Sequence, residues 1–250
     1  MGLYIAGPFI YNGSVIVIYE NAVLALPLDY PDAGAKFYPI NAERVQQAAE
    51  RVNDPALSYR NGHNVPNLFV EYIQRYLGGW NVVGEPVDER YEEGPNFCQD
   101  FENLTLCFNK QSGSVFVEAR GKEFYEEHAS ELLPLRKLDA ASSSWHIQMT
   151  TILSDDNVLQ LRATVFYTGS DQVIPSDARA IIEVFEAETG EVQWLKVRPM
   201  VGASGQIDDQ VPLGPVDVSN GSVRYVARVC VWEHNTLQAC EESSVQRWIP

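Results

Sequence analysis

The residues of this chain best suited to chemistry are four cysteines, four histidines, two acidic pairs and a group of aromatic and acidic side chains near residue 85. Cys98 and Cys107 bracket the stretch QDFENLTL, and Cys230 and Cys240 bracket VWEHNTLQA. A two-residue turn at Glu102 and Asn103 would make Phe101 and Leu104 the closing pair. Counting outward sets Cys98 opposite Cys107 on a non-hydrogen-bonded pair, where Cα atoms lie about 4.5 Å apart. That spacing is within disulfide range. Folding the second stretch about Asn235 sets Cys230 opposite Cys240 in the same way. Two matched pairs with no cysteine left over predict two hairpin disulfides, each contributing ~2 to 3 kcal/mol, and an oxidising compartment. Four reduced cysteines in a cytosolic protein are the alternative. Zinc fits the spacing poorly, because no C-x-x-C occurs and the pairs lie more than 120 residues apart.

The histidines are His63, His128, His146 and His234. None stands in an H-E-x-x-H arrangement, and GASGQ at 202–206 lacks the strand-turn-helix setting of a nucleophile elbow. Each reads as ordinary surface or core. Asp155-Asp156 and Asp208-Asp209 are expected in loops, and neither carries the D-x-[DN]-x-[DN]-G pattern of a calcium loop, so both read as solvated turns. A catalytic carboxylate pair is defined by distance in space, and the sequence nominates none. No catalytic residue, metal ligand or cofactor is assigned.

Acidic residues number 34 against 18 basic, a formal net charge of -16. Such a field repels phosphate backbones and anionic lipid, so no nucleic-acid partner is expected. No apolar run approaches the roughly 18 residues that span a bilayer, and no membrane insertion is expected. The opening MGLYIAGPFIYNGS has neither the basic nor the apolar region of a signal peptide. Together with the cysteines, this leads to the expectation of an exported protein, extracellular or at the cell surface, whose leader is not part of this sequence.

The elements that must position these residues show a repeat. YENAVLAL at 19–26 and FENLTLCF at 101–108 share an aromatic-Glu-Asn turn, offset by 82 residues. A glycine turn and a strand precede each phrase. A second strand and a helix-like piece follow each, AERVQQAAERV in one and ARGKEFYEEH in the other. Pro66 is expected to start a helix with Leu68, Phe69, Tyr72, Ile73, Tyr76 and Leu77 on one face, ended by Gly78-Gly79. The first copy lacks this helix and is expected to lean on the second, with Val17, Tyr19, Val23 and Leu26 buried against residues 40–80. After a linker, LDAASSSW, come alternating strands. In 222–233, Val223, Tyr225, Ala227, Val229 and Val231 are expected in the core and Cys230 outside it. The expected fold is an α+β repeat domain of short helices and β-hairpins (1–139), followed by an all-β immunoglobulin-like sandwich (140–250).

The segment YLGGWNVVGEPVDERYEEGPNFCQDFENLTLCF resembles the LGFP repeat of secreted and cell-envelope bacterial proteins, at Gly78, Gly79, Gly84, Pro86, Glu89, Gly94 and Phe101. The resemblance covers about residues 66–108, with a partial second copy at 8–50. Val83 and Glu85 stand where the family has the Leu and Phe of its name motif, and Phe108 where it usually has Trp. The resemblance implies a module that attaches proteins to the cell wall or extends surface-exposed domains. Trp80 and Tyr91 flank the motif and could stack on a sugar ring or cap a core, and Glu89 could accept backbone N–H groups at a turn. These three are the candidate ligand-binding residues. The expected function is a non-catalytic extracellular or cell-surface binding protein whose partner is a protein or a cell-wall glycan, and which can belong to a longer chain or surface assembly. The alternatives are a cell-wall polysaccharide-binding module and a secreted hydrolase with an active site built from loops.

Overall fold

Alternating apolar and polar residues recur along the whole chain, and strands follow from that period. The computed structural model describes residues 1–29, 34–137, 144–154, 156–168, 174–200, 205–214, 222–234 and 236–248. The elements begin with β1 (Tyr4–Tyr11), β2 (Ser14–Tyr19), β3 (Val23–Pro27), β4 (Lys36–Phe37), β5 (Leu57–Arg60), β6 (His63–Pro66), α1 (Asn67–Tyr76) and α2 (Trp80–Val83). Next come β7 (Tyr91–Glu93), β8 (Asn96–Asp100), β9 (Thr105–Asn109), β10 (Ser114–Val117), α3 (Arg120–His128) and β11 (Leu133–Pro134). The rest is strand: β12 (Trp145–Leu153), β13 (Val158–Tyr167), β14 (Arg179–Glu186), β15 (Val192–Pro199), β16 (Gly205–Pro212), β17 (Ser222–Glu233) and β18 (Thr236–Trp248). Two Asn-Gly turns, at 12–13 and 61–62, place both central residues at positive φ and close β1–β2 and β5–β6, the turn that matches strand twist best.

The strands form sheets ordered β11-β1-β2-β3-β4, β10-β9-β8-β7, β12-β13-β16, β15-β14-β17-β18 and β5-β6. The chain divides into two compact units. One comprises Met1–Ala6, Ile16–Ala25 and Lys36–Leu132, and the other Gly7–Val15, Leu26–Ala35 and Leu133–Pro250.

In the first unit, α1 buries Phe69 and Ile73 completely, in one apolar cluster with Val65, Val83, Phe101 and Leu106. Leu77 donates its N–H to Ile73, and Gly78 and Gly79 at positive φ end the helix. This helix matches its sequence signal. The expected counterpart at 42–52 does not form. Only Ala42–Arg44 makes a 3₁₀ turn, and the following backbone donates outward, from Gln46 to Val87, Ala49 to Gly62 and Val52 to the Asn64 side chain. Val45 and Val52 stay largely exposed, so a helix there would have had no buried apolar face to stabilise it.

In the second unit, the sheets β12-β13-β16 and β15-β14-β17-β18 enclose one apolar cluster that includes Leu159, Leu161, Val165, Ile182, Val184 and Val229, a sandwich-like arrangement. Along β17, Val223, Tyr225, Ala227, Val229 and Val231 all face this cluster, as expected. The opposite face of the same strand is buried as well. Cys230 and Trp232 join Ile181, Val197 and Leu237 in a second cluster, completed by Ile10, Val15, Leu26, Leu28 and Leu135. Leu26 therefore packs here rather than against residues 40–80, because N-terminal strand segments cover the outer face of the β14–β17 sheet.

These observations overturn the expected fold class. The chain is mostly β, 54% strand and 13% helical, built from several small antiparallel sheets rather than an α+β repeat domain followed by an immunoglobulin-like sandwich. The error came from treating each apolar run after a Glu-Asn turn as a helix, where tertiary hydrogen bonds hold the first copy's run extended.

Both disulfides form, with Cα atoms 4.1 Å apart in each. Cys98 faces Cys107 in an unbroken register from Asp100↔Thr105. The second pair needs a correction to the counting: Trp232 faces Leu237, and a bulge then shifts the register so that Val231 faces Ala239 and Cys230 faces Cys240.

Leu28→Asp places a carboxylate in the second cluster of the second unit. Hydrogen exchange followed by mass spectrometry should show faster exchange in peptides covering β14 and β17. Unchanged protection in those peptides would mean that the N-terminal segments do not support that sheet face.

Candidate functional site

The doubled phrase is a doubled structure. Tyr19 donates its N–H to Ala22 (2.8 Å) and Phe101 donates to Leu104 (2.9 Å), closing two-residue turns at Glu20-Asn21 and Glu102-Asn103. Each turn lies on a short extended segment 82 residues from its counterpart. Glu20 and Asn21 donate to the carbonyls of Leu3 and Met1, and Glu102 and Asn103 donate to those of Glu85 and Val83. Each Glu side chain also accepts from the same segment, from Leu3 N–H and from Glu85 N–H. Between these residues sit Gly2 and Gly84, at φ 79° and 84°. A Cβ on either would lie 2.8 or 2.6 Å from the turn glutamate's Cβ, so only glycine permits the approach.

The two copies are also cross-connected. The segment after the first turn reaches the second, where Asn41 donates its backbone N–H to Glu102 O and its amide to Phe101 O and Leu104 O. The segment after the second reaches the first, where Lys122 donates to Glu20 O. Gly121 passes so close that a Cβ would sit 2.0 Å from Tyr19 O. Each copy thus satisfies carbonyls of the other's turn.

A pocket of about 280 Å³ lies where the copies meet. Its wall uses equivalent positions from both turns, Asn21 and Ala22 from one and Leu104 from the other, together with Phe37, Val82 and Val117. The end of α1 adds Leu77 and Tyr76, and Tyr76 is 71% exposed. The lining is predominantly apolar with one amide, and it suits an aliphatic or aromatic side chain better than a charged group.

The three sequence-derived candidates each have their own partners. Trp80 is half-buried. The Arg60 guanidinium, fixed on both sides by Glu85, lies 4.0 Å from the centre of its ring, and Phe101 packs at 6.1 Å. Glu89 accepts the backbone N–H of Asn64 at 2.8 Å and lies 3.5 Å from the buried His63, so the turn-acceptor reading of that residue matches its placement. Tyr91 enters a polar cluster. Its hydroxyl donates to Asp100 (3.1 Å) and accepts from Arg120 (3.0 Å), while Asp100 also takes Thr105 at 2.5 Å and Arg44 at 3.3 Å.

Perturbed titrations concentrate in this cluster. Burial pushes Asp88 from its usual 3.8 up to about 7; Asp100 and Glu89 add to the shift, while the Asp100 backbone N–H it accepts and Arg44 partly offset it. Burial likewise raises Glu118 and Tyr91. Burial alone would lower Arg120, but Glu123 and Glu118 more than offset it and its pKa rises. The cleft beside the cluster, lined by Asn41, Arg44, Arg120 and Glu123, has room for little more than one water. The cluster holds β7, β8 and α3 together and has no room for a substrate.

Other candidates also have defined places. Glu93 and Glu118 each lie 3.5 Å from one sulfur of the 98–107 disulfide, and bonded sulfurs can neither donate a proton nor ligate as thiolates. Asp208 and Asp209 lie within β16 rather than a loop, paired with Arg162 and with Lys196 and Arg198. Asp155 falls outside the described residues. His128 packs on Phe124 beside Glu131, and His146 is exposed on β12. Sequence reasoning missed the Asp88–Asp100 cluster and the placement of His234 between Asp177 and Glu233. Neither has local spacing that could have announced it. No model of a known protein family matches the chain, and no curated protein matches it.

Asp88 gives a pH prediction with a definite sign. Its native pKa is raised, so between about 4 and about 7 the folded state holds a proton that the unfolded state has released, and stability falls as pH rises through that window. Asp88→Asn keeps an acceptor for Asp100 N–H and removes the titration. Urea midpoints at pH 4, 6 and 8 should show the variant gaining on the parent with pH, by on the order of a few kcal/mol at pH 8. A constant difference across pH would contradict the raised titration.

Proposed function

We propose that this chain is a non-catalytic extracellular or cell-surface binding protein that takes an apolar side chain of a protein partner in the pocket between its two Glu-Asn turns. The observation that carries this reading is the pocket itself, about 280 Å³ and lined by Phe37, Leu77, Val82, Leu104 and Val117. The two disulfides are compatible with an extracellular location. The resemblance of residues 66–108 to the LGFP repeat supports placement at a bacterial cell surface. A protein partner is favoured over a glycan because Arg60 and Phe101 already occupy Trp80, which would otherwise be the stacking platform.

The glycan reading keeps one supporting observation, the Tyr72–Tyr76 ring pair at 5.2 Å, with Tyr76 largely exposed. Methyl-resolved NMR separates the two. Titration with N-acetyl-leucinamide or N-acetyl-phenylalaninamide should shift the methyls of Leu77, Val82, Leu104 and Val117, and Val82→Asp should abolish the response. Shifts induced instead by N-acetylglucosamine oligomers at Tyr72 and Tyr76 would transfer the function to wall polysaccharide. Silence toward both ligand types would remove the pocket as the site.

A further inference from the structure

The start of β14 and the end of β17 run side by side, with Arg179 paired to Trp232. That register brings Asp177, two residues before β14, to Glu233 and His234 at the end of β17. Asp177 Oδ2 lies 3.4 Å from His234 Nε2, and Glu233 Oε1 lies 3.5 Å from His234 Nδ1. One donor atom from each of the three residues falls within 4.8 Å of the others. We propose that Asp177, Glu233 and His234 are the protein ligands of a divalent transition metal of the zinc class.

Three features distinguish this group from a solvated acidic turn. First, the spacing fits: a tetrahedral ion bound at ~2.0–2.2 Å holds neighbouring donors roughly 3.3–3.6 Å apart. Second, the carboxylates are oriented from behind, as metal ligands are. The second oxygen of Glu233 accepts the indole N–H of buried Trp145 at 3.2 Å, and Asp177 accepts the backbone N–H of His234 at 3.3 Å. Glu233 is itself only 7% exposed, so a cation would compensate a carboxylate that has lost most of its water. Third, the group borders a pocket of about 260 Å³ that gives an ion an entry path and room for a water in a remaining coordination position. Asp29 adds a further carboxylate to this pocket. The one arginine there, Arg179, donates to the carbonyls of Leu28, Ser176 and Ala178. An imidazole with two carboxylates favours zinc over magnesium or calcium, which take oxygen ligands alone. The ion would tie β14 to the end of β17.

The test uses the full oxidised chain in excess Mg²⁺, which occupies generic acidic sites. Isothermal titration with Zn²⁺ should saturate at one equivalent, and Co²⁺ in its place should give the intense visible bands of a site with four or five ligands. His234→Asn and Asp177→Asn should each weaken Zn²⁺ at least about tenfold, a loss typical of disturbed metal sites. Asparagine is chosen at 234 because it tolerates the φ of 49° found there. Metal-free melting of both variants checks that the fold is kept. If a variant melts lower, the Co²⁺ spectrum of the parent chain decides. No saturable Zn²⁺ uptake, a pale six-coordinate Co²⁺ spectrum, or unchanged affinity in a stably folded His234→Asn would each overturn the assignment.

Discussion

The first unit depends on one constraint: backbone groups of two tight turns are drawn into the interior and must find partners there. An unpaired buried carbonyl or amide costs on the order of 1–3 kcal/mol, and each turn exposes several. The chain meets this by reciprocity. Each turn rests on an extended segment that supplies carbonyls at Met1 and Leu3 or at Val83 and Glu85, and each is capped by the segment that follows the other turn. Neither copy satisfies itself, so both must be present for either to be buried. This is why an eight-residue phrase is written twice in one chain, and why the cysteine pair appears in only one copy. The 98–107 bridge staples a hairpin, while the copies are joined by the exchanged hydrogen bonds.

The second unit meets a different demand. β17 has no solvent face over most of its length, since one side enters the cluster between the sheets and the other enters the cluster with Ile10, Val15 and Leu28. Charged residues on that outer face are therefore paired. Glu183, 1% exposed, is pushed up by burial and pulled back by Arg136 and Arg228, and the Arg136 guanidinium stacks 3.7 Å from the centre of the Phe185 ring. Buried pairs of this kind are costly to break and contribute more to a defined register than to net stability. In a chain of net charge -16 they place scarce cationic side chains where buried carboxylates need them.

What was legible in the sequence was local. The α1 helix, the core face of β17, the 98–107 register and the 82-residue offset of the turns all follow from periods and counts within about a dozen residues. What was not legible depends on residues distant along the chain. Val45 and Val52 carry helix-like spacing, yet the amides of 46, 49 and 52 go to Val87, Gly62 and Asn64. Cys230 was placed outside the core because alternation assigns only one buried face, and nothing in residues 222–233 reveals that N-terminal strand segments cover the other. Trp80 looked available for stacking because Arg60, twenty residues earlier, gives no sign that it will lie on the ring. The pocket was equally hidden, since its wall is shared between positions 82 residues apart.

A common feature underlies the two candidate sites. Tight turns bring donor and acceptor atoms into small volumes, and what happens next depends on whether those atoms are used up. At Glu20-Asn21 and Glu102-Asn103 every nearby backbone group is answered by the opposite copy, so the turns contribute shape, and their meeting place is apolar. At the end of β17 the backbone bends at His234 with a positive φ, and no opposite copy exists to consume its polar atoms. The imidazole instead stands between Asp177 and Glu233, with indole and backbone N–H groups orienting the carboxylates. The same strand-turn grammar therefore yields a hydrophobic seat where polar groups are cancelled and a ligand set where they are left over.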